Sequence, residues 1–277
     1  MVVWFSKRTR LYIAVVLSIL PVAIHAERLD IHAEADRPGM GTCINVLPFG
    51  FVQWETGFEC AHTQRTHAIT LPTSLFRFGL GTPAELRLEY TGQLLHESGR
   101  YDMDPFNIGT KIRLWGGSEE ARLKWIPRTS LMLNVGVPLT RSMAEQVPLS
   151  GKIDMLFEND VTDWLTIGYD VGVYWTDWAP TPDVFVSLAF NFMPTDKFGV
   201  FIESYNFFDP DGVDLSTSKN YTHSNVCLDF GMTYLVHPRV QLDMYAGFNL
   251  YNSDPKLSTP RNNVAVGLGV TWLLYHP

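Results

Sequence analysis

The stretch Val226-Cys227-Leu228-Asp229-Phe230-Gly231-Met232-Thr233-Tyr234 decides the fold, because its side chains change character at every step. Val226, Leu228, Phe230, Met232 and Tyr234 are apolar or amphipathic; Cys227, Asp229, Gly231 and Thr233 are small or polar. The pattern repeats twice downstream. Val240, Leu242, Met244, Ala246 and Phe248 alternate with Gln241, Asp243, Tyr245, Gly247 and Asn249, and Val264, Val266, Leu268, Val270 and Trp272 alternate with Ala265, Gly267, Gly269 and Thr271. A period of two sustained over about ten residues is the pattern of a tilted strand with lipid on one face and a polar lumen on the other.

Working outward, the same reading predicts twelve strands, at about 49–60, 67–80, 84–94, 106–115, 128–137, 151–158, 163–175, 183–193, 197–206, 224–236, 239–250 and 262–274. Connections alternate between short turns and longer loops at 95–105, 138–150, 176–182, 207–223 and 251–261. That alternation and the even strand count point to an all-β fold: a closed antiparallel transmembrane β-barrel of outer-membrane type. The connections 61–66, short for an outer loop, and 116–127, long for a periplasmic turn, fit less well, and counts of ten or fourteen strands stay open. Trp115, Trp164, Tyr234 and Trp272 fall at one set of strand ends; Tyr101, Phe106, Tyr174, Trp175, Trp178, Tyr205, Phe207 and Tyr251 fall at the other. Rings prefer the headgroup level, so both sets are expected to form girdles.

Residues 1–26 read as a signal peptide. Lys7, Arg8 and Arg10 precede an apolar run from Leu11 to Ile24, and Ala26 is suited to cleavage. Removing three bases and no acids leaves 18 Lys+Arg against 29 Asp+Glu, a balance of −11 that disfavours nucleic acid as a partner. No later segment offers 18 uninterrupted apolar residues, yet 46% of the chain is hydrophobic and 13% aromatic. A barrel accounts for both, since half of each strand faces lipid. The implied location is the bacterial outer membrane after cleavage. The implied partners are membrane lipids, lipopolysaccharide, the barrel-assembly machinery during insertion and a small-molecule solute. Residues 27–48 have no strand period and read as a periplasmic lead-in or a segment within the lumen, ahead of a barrel over 49–277. Cys43, Cys60 and Cys227 are expected to be unpaired.

From Phe49 onward the chain resembles the outer-membrane "transporter" family named for a MetA pathway of phenol degradation. The resemblance rests on Ile167-Gly168-Tyr169-Asp170-Val171-Gly172, Gly199-Val200-Phe201-Ile202-Glu203, Leu228 to Tyr234 and Gln241-Leu242-Asp243-Met244-Tyr245-Ala246-Gly247. It implies a small outer-membrane barrel linked by name to aromatic compounds. The chain departs from such barrels at its end, where His276 and Pro277 follow Tyr275 in place of a terminal aromatic residue.

Strand parity gives the lumen inventory. A charge on the lipid face at mid-depth costs about 2–4 kcal/mol, so charged strand residues are expected to point inward. The candidates are Glu85, Arg87, Glu89, Lys111, Arg113, Asp170, Glu203, Asp229 and Asp243, with Glu55, Glu59, Lys152, Asp154 and Glu158 on inward rows as well. Glu203, Asp229 and Asp243 come from neighbouring predicted strands. Two readings stay open: charges that pair and fill the lumen, or an acidic excess lining a path that favours cations. The functional expectation is a channel for small solutes, with aromatic or hydrophobic compounds among them. The alternative is a non-conducting structural or binding barrel acting through its outer loops, and an outer-membrane hydrolase ranks last. His223-Ser224-Asn225 has the wrong order and spacing for nucleophilic catalysis, because adjacent strand residues face opposite ways. The turn Asp209-Pro210-Asp211-Gly212 lacks protease character. Cys60, His62, His67 and His96 fit no metal-ligand spacing, so neither a metal nor a cofactor is expected.

Overall fold

The computed structural model describes residues 32–36, 39–62, 67–81, 83–95, 100–116, 126–139, 150–175, 182–209, 213–214, 219–220, 223–252 and 264–274. The segment expected to be a signal peptide, His96, Trp178, Asp211, Tyr275 to Pro277 and most of the predicted outer loops lie outside them.

The described strands are β1 (Val52–His62), β2 (His67–Gly81), β3 (Ala84–Leu95), β4 (Arg100–Met103), β5 (Phe106–Trp115), β6 (Arg128–Val137), β7 (Ser150–Thr162), β8 (Leu165–Trp175), β9 (Asp183–Thr195), β10 (Phe198–Asp209), β11 (Val213–Asp214), β12 (Lys219–Asn220), β13 (His223–His237), β14 (Val240–Asn252) and β15 (Val264–Leu274). Each long strand pairs antiparallel with its neighbours. β1 pairs with both β2 and β15, which leaves the sheet without an edge. Closure matters because hydrocarbon offers no partner for an unpaired N–H or C=O.

β4 and β5 together form one wall element. Gly92–Leu95 of β3 pair with β4, and Ala84–Glu89 of the same strand pair with β5. The break falls at Asp104-Pro105, since proline has no N–H for the ladder; the Asp104 amide bonds Thr91 O at 3.0 Å. Counting β4 and β5 as one gives twelve spanning strands. The region expected as a plain loop at 95–105 thus carries a strand, and the loop 207–223 carries the small β11–β12 hairpin.

The pleat sorts the residues. Phe230, Met232, Val266 and Leu268 are 46%, 41%, 44% and 42% exposed, while Asp229, Asp243 and Thr271 on the alternate rows are buried. Such a continuous apolar exterior is tolerable only in lipid. Rings stack across strands on this outer face: Trp54 on Phe76 with centroids 5.8 Å apart, and Phe230 on Phe248 at 5.7 Å. Trp115, Trp164, Tyr234 and Trp272 are exposed near the short-turn end, as a girdle requires.

The other expected girdle needs correcting. Tyr174, Tyr205 and Phe207 gather in the lumen around Phe185, which is fully buried; its centroid lies 5.6 Å from Tyr174 and 5.0 Å from Phe207. The reason is parity: these residues fall on the rows of Asp170 and Glu203.

Residues 32–36 and 39–48 run inside the barrel as a strap. The Ala33 amide bonds Pro238 O at 2.8 Å, and the Leu47 amide bonds Glu85 at 2.9 Å, so both feet stand at the short-turn end. Ala33 and Leu47 pack on Leu273 there. Farther along, Ile44 packs on Met132 and Leu156, two apolar side chains on otherwise polar inward rows. The return into β1 crosses β2 so closely that a Cβ on Gly79 would strike Pro48.

Candidate functional site

One wall of the lumen is basic. Arg77 from β2, Arg87 from β3 and Lys111 from β5 converge with Glu55 and Glu85. Arg77 grips Glu85 with two bonds of 2.9 Å, Nε to Oε1 and Nη2 to Oε2, and its Nη1 reaches Glu55 at 3.3 Å. Arg87 reaches Glu85 at 2.9 Å. The strap completes this cluster with Asp36. Lys111 Nζ lies 2.9 and 3.1 Å from its two oxygens, Arg77 lies 3.5 Å away, and Arg87 makes a short bond to Oδ2. Three cations therefore face three carboxylates, the balance that buried charge demands.

The same cations hold strap carbonyls. Arg77 donates to Glu34 O at 3.1 Å and Asn45 O at 2.7 Å; Lys111 donates to Cys43 O at 2.8 Å. Burial alone would push the Asp36 carboxyl up, but Arg77, Arg87 and Lys111 outweigh it and hold the group well below the usual carboxylate range. The neighbouring Cys43 thiol donates to Asp36 Oδ1 at 2.7 Å, and burial together with the Asp36 charge raises it well above the ordinary thiol range.

The opposite wall is acidic and takes the tip of the strap. The amides of Met40 and Gly41 donate to the two oxygens of Glu203 at 2.9 and 2.6 Å, and the Thr42 amide donates to Asp170 Oδ2 at 2.8 Å. The tip is glycine-rich for a steric reason: a Cβ on Gly41 would stand 2.5 Å from Glu203 Oε1 and 3.1 Å from Ser187 Oγ. Glu203 and Asp229 are direct cross-strand partners, with Gly247 opposite Asp229 on the far side. Among the described residues, Asp229 Oδ1 is buried without a hydrogen-bond partner.

The expected site residues therefore separate into groups. Glu85, Arg87 and Lys111 meet in the basic cluster; Asp170 and Glu203 meet at the strap tip, with Asp229 beside Glu203. Asp243 is buried on the inward row of β14 nearer the short-turn end, in register with Thr233 and Gly269. Glu89 and Arg113 are half-buried on inward rows, paired in register with Asn107 and Ser130. Arg77 escaped the sequence reading although its parity, shared with Leu75, marked it as inward. Asp36 escaped because no period runs through its segment. The signal available was the pair of inward apolar residues Met132 and Leu156, which call for an apolar cover.

Two further features flank the strap. Beyond its tip, Lys152 Nζ sits 4.7 Å from the centroid of Tyr174 and 5.5 Å from that of Phe185, and it pairs with Asp154 at 2.6 Å. Beside the strap lies a cavity of about 420 Å³, bounded by Asp36, Asn45, Arg128, Glu158, Asn191 and Lys197 among others.

The residues weighed for other chemistry have plain roles. The Ser224 hydroxyl is held by the Asn206 side chain at 3.1 Å. His62 and His67 face each other at the end of the first hairpin, with Nδ1 atoms 3.0 Å apart. Cys43, Cys60 and Cys227 are free thiols.

With this geometry in place, comparison with known proteins is informative. Residues 127–259 match the family model described as "Putative MetA-pathway of phenol degradation". The matched stretch runs from the start of β6 through β14 and includes Asp170, Glu203, Asp229 and Asp243, the acidic wall. Among solved structures, the chain is similar to an outer membrane channel from Pseudomonas putida F1, at 10% identity and a TM-score of 0.61, covering 86% of this chain and 99% of that one. It is also similar to the NanC porin, at 7% identity and a TM-score of 0.56, covering 80% and 100%. At these identities the likeness is one of fold. No curated protein matches the chain.

Proposed function

We propose that this protein is an outer-membrane channel that passes small solutes through a charged lumen and carries no catalytic centre. The observation behind this reading is the closed wall around a polar interior in which a cavity of about 420 Å³ remains beside the strap. The family match over the acidic wall and the fold shared with a channel and a porin point the same way. The short-turn end is then periplasmic. Aromatic solutes suit the lumenal patch of Tyr174, Phe185, Tyr205 and Phe207, where a ring finds edge and face partners.

The test is single-channel conductance of the refolded mature protein in a planar bilayer under a salt gradient. Steady steps that favour cations are expected from the acidic rows on β8, β10, β13 and β14. A silent bilayer with protein shown folded by heat-shifted gel migration overturns the reading. It would favour a non-conducting barrel that binds a partner through loops such as 207–223, a second reading supported by the number of bonds that hold the strap. Deleting that loop and losing partner capture, with assembly intact, would then carry the second reading.

A further inference from the structure

We propose that Arg77, Arg87 and Lys111 form a carboxylate-binding site of the lumen, which Asp36 of the strap fills from within, and that a small organic carboxylate competes with the strap for it. The inference rests on the channel reading for its setting, although binding itself requires no conduction.

Asp36 is touched by three cations, with both oxygens engaged by Lys111 at 2.9 and 3.1 Å and with Arg77 at 3.5 Å. The remaining carboxylates, Glu55 and Glu85, are fixed in the wall strands β1 and β3. With the strap in place Arg77 and Lys111 are almost wholly buried, partly by the strap itself, and withdrawal of Asp36 leaves three cations against two carboxylates. Three convergent cations against two carboxylates leave a net positive charge, so the vacated position attracts an anion. Two guanidinium groups and an ammonium converging on one point suit the two oxygens of a carboxylate.

The rest of the strap is held differently. Met40, Gly41 and Thr42 are held through main-chain amides, and Glu34, Cys43 and Asn45 through main-chain carbonyls. Water can replace all of these. Among the described residues, the Asp36 charge is the one strap contact to the basic wall whose loss water does not restore. Asp36 therefore behaves as an internal surrogate for a solute anion. The adjoining cavity, which Asp36, Cys43 and Asn45 help to line, has room for the body of such a solute.

The experiment is calorimetric titration of the full mature protein in detergent with benzoate, and with benzyl alcohol as the uncharged match of the same ring. Strap occupancy lowers the apparent affinity of a competing ligand by the fraction of open sites, so Asp36→Asn is expected to raise benzoate affinity about tenfold or more. Adding Arg87→Gln to Asp36→Asn should abolish the gain, and benzyl alcohol should bind alike in all three. If Asp36→Asn fails to show the heat-shifted migration of a folded barrel, deletion of residues 33–46 provides the same comparison. Equal benzoate affinity with and without the strap carboxylate overturns the inference, and so does an equal gain for benzyl alcohol, which would mean that only space had been opened. Failure of the two readings is distinguishable. A benzoate gain in a barrel that never conducts sinks the channel and leaves the site, whereas a conducting barrel without the gain sinks the site alone.

Discussion

The Gly41 amide donates to Glu203 Oε1 at 2.6 Å, and a methyl group on Gly41 would stand 2.5 Å from that same oxygen. The strap tip and the acidic wall are thus fitted to each other with no space for a side chain. Gly41→Ala forces the Glu203 carboxylate aside and removes at least one charge-assisted bond, a loss of about 1.5–3 kcal/mol in strap docking. The expected result is a larger or more frequent open conductance with unchanged barrel assembly, measured in planar bilayers alongside heat-shifted migration.

Arg77 bridges wall and strap, bonding Glu85, Glu55 and two strap carbonyls. Arg77→Ala leaves buried carboxylates without their main partner and should destabilise the barrel by about 3–5 kcal/mol. Urea midpoints read by gel migration check this, and Arg77→Lys should recover only part of the loss because one ammonium cannot replace the two-point grip on Glu85.

Cys43 should alkylate slowly at pH 7–8 in the folded protein and readily once the protein is unfolded. The Cys43 thiol is raised well above its usual range and is hydrogen-bonded to Asp36, and the thiolate is the reactive form. In Asp36→Asn the neighbouring negative charge is gone and Cys43 should react faster. Peptide mapping after a timed maleimide pulse compares Cys43 in the two proteins.

The Asp36 carboxyl is held below its ordinary value in the folded protein, so its contribution is present above the unfolded pKa and is lost as pH falls through the folded one. The stability advantage of wild type over Asp36→Asn should therefore stay constant from pH 8 to about 4 and decline only below that. Paired urea titrations at fixed ionic strength measure the difference. A decline beginning near pH 6 would contradict the ion-paired cluster.

The outer face makes its own prediction. Leu268 is 42% exposed near the middle of β15, so Leu268→Arg should cost about 2–4 kcal/mol in a bilayer. Asp243→Asn, one strand away on the inward face, should cost far less. Refolding yield into vesicles compares them.

Particular residues show how far the sequence could be read. The alternation around Phe230, Met244 and Leu268 placed the spanning strands, because one face of each must meet lipid while the other cannot. Parity also placed Asp170, Glu203 and Lys111 inward. Residue type misled where it was allowed to override parity: Tyr174, Tyr205 and Phe207 suggested a headgroup belt although their rows pointed into the lumen. The strap was not legible as a plug, because residues 27–48 have no period and owe their path to charges on distant strands. Asp36 meets Lys111, 75 positions away, and Gly41 meets Glu203, 162 positions away. No local pattern encodes such pairs.

Both feet of the strap stand at one mouth of the barrel, with Ala33 on Pro238 and Leu47 on Glu85. The segment can therefore enter or leave without any bond of the wall ladder being opened. Cylinder formation and filling are therefore expected to be two separate events. A refolding time course should then show the barrel closing first by gel shift and Cys43 becoming protected afterwards, in a second phase that Asp36→Asn, which removes the strap's bonds to Lys111 but keeps Cys43, slows without slowing the first.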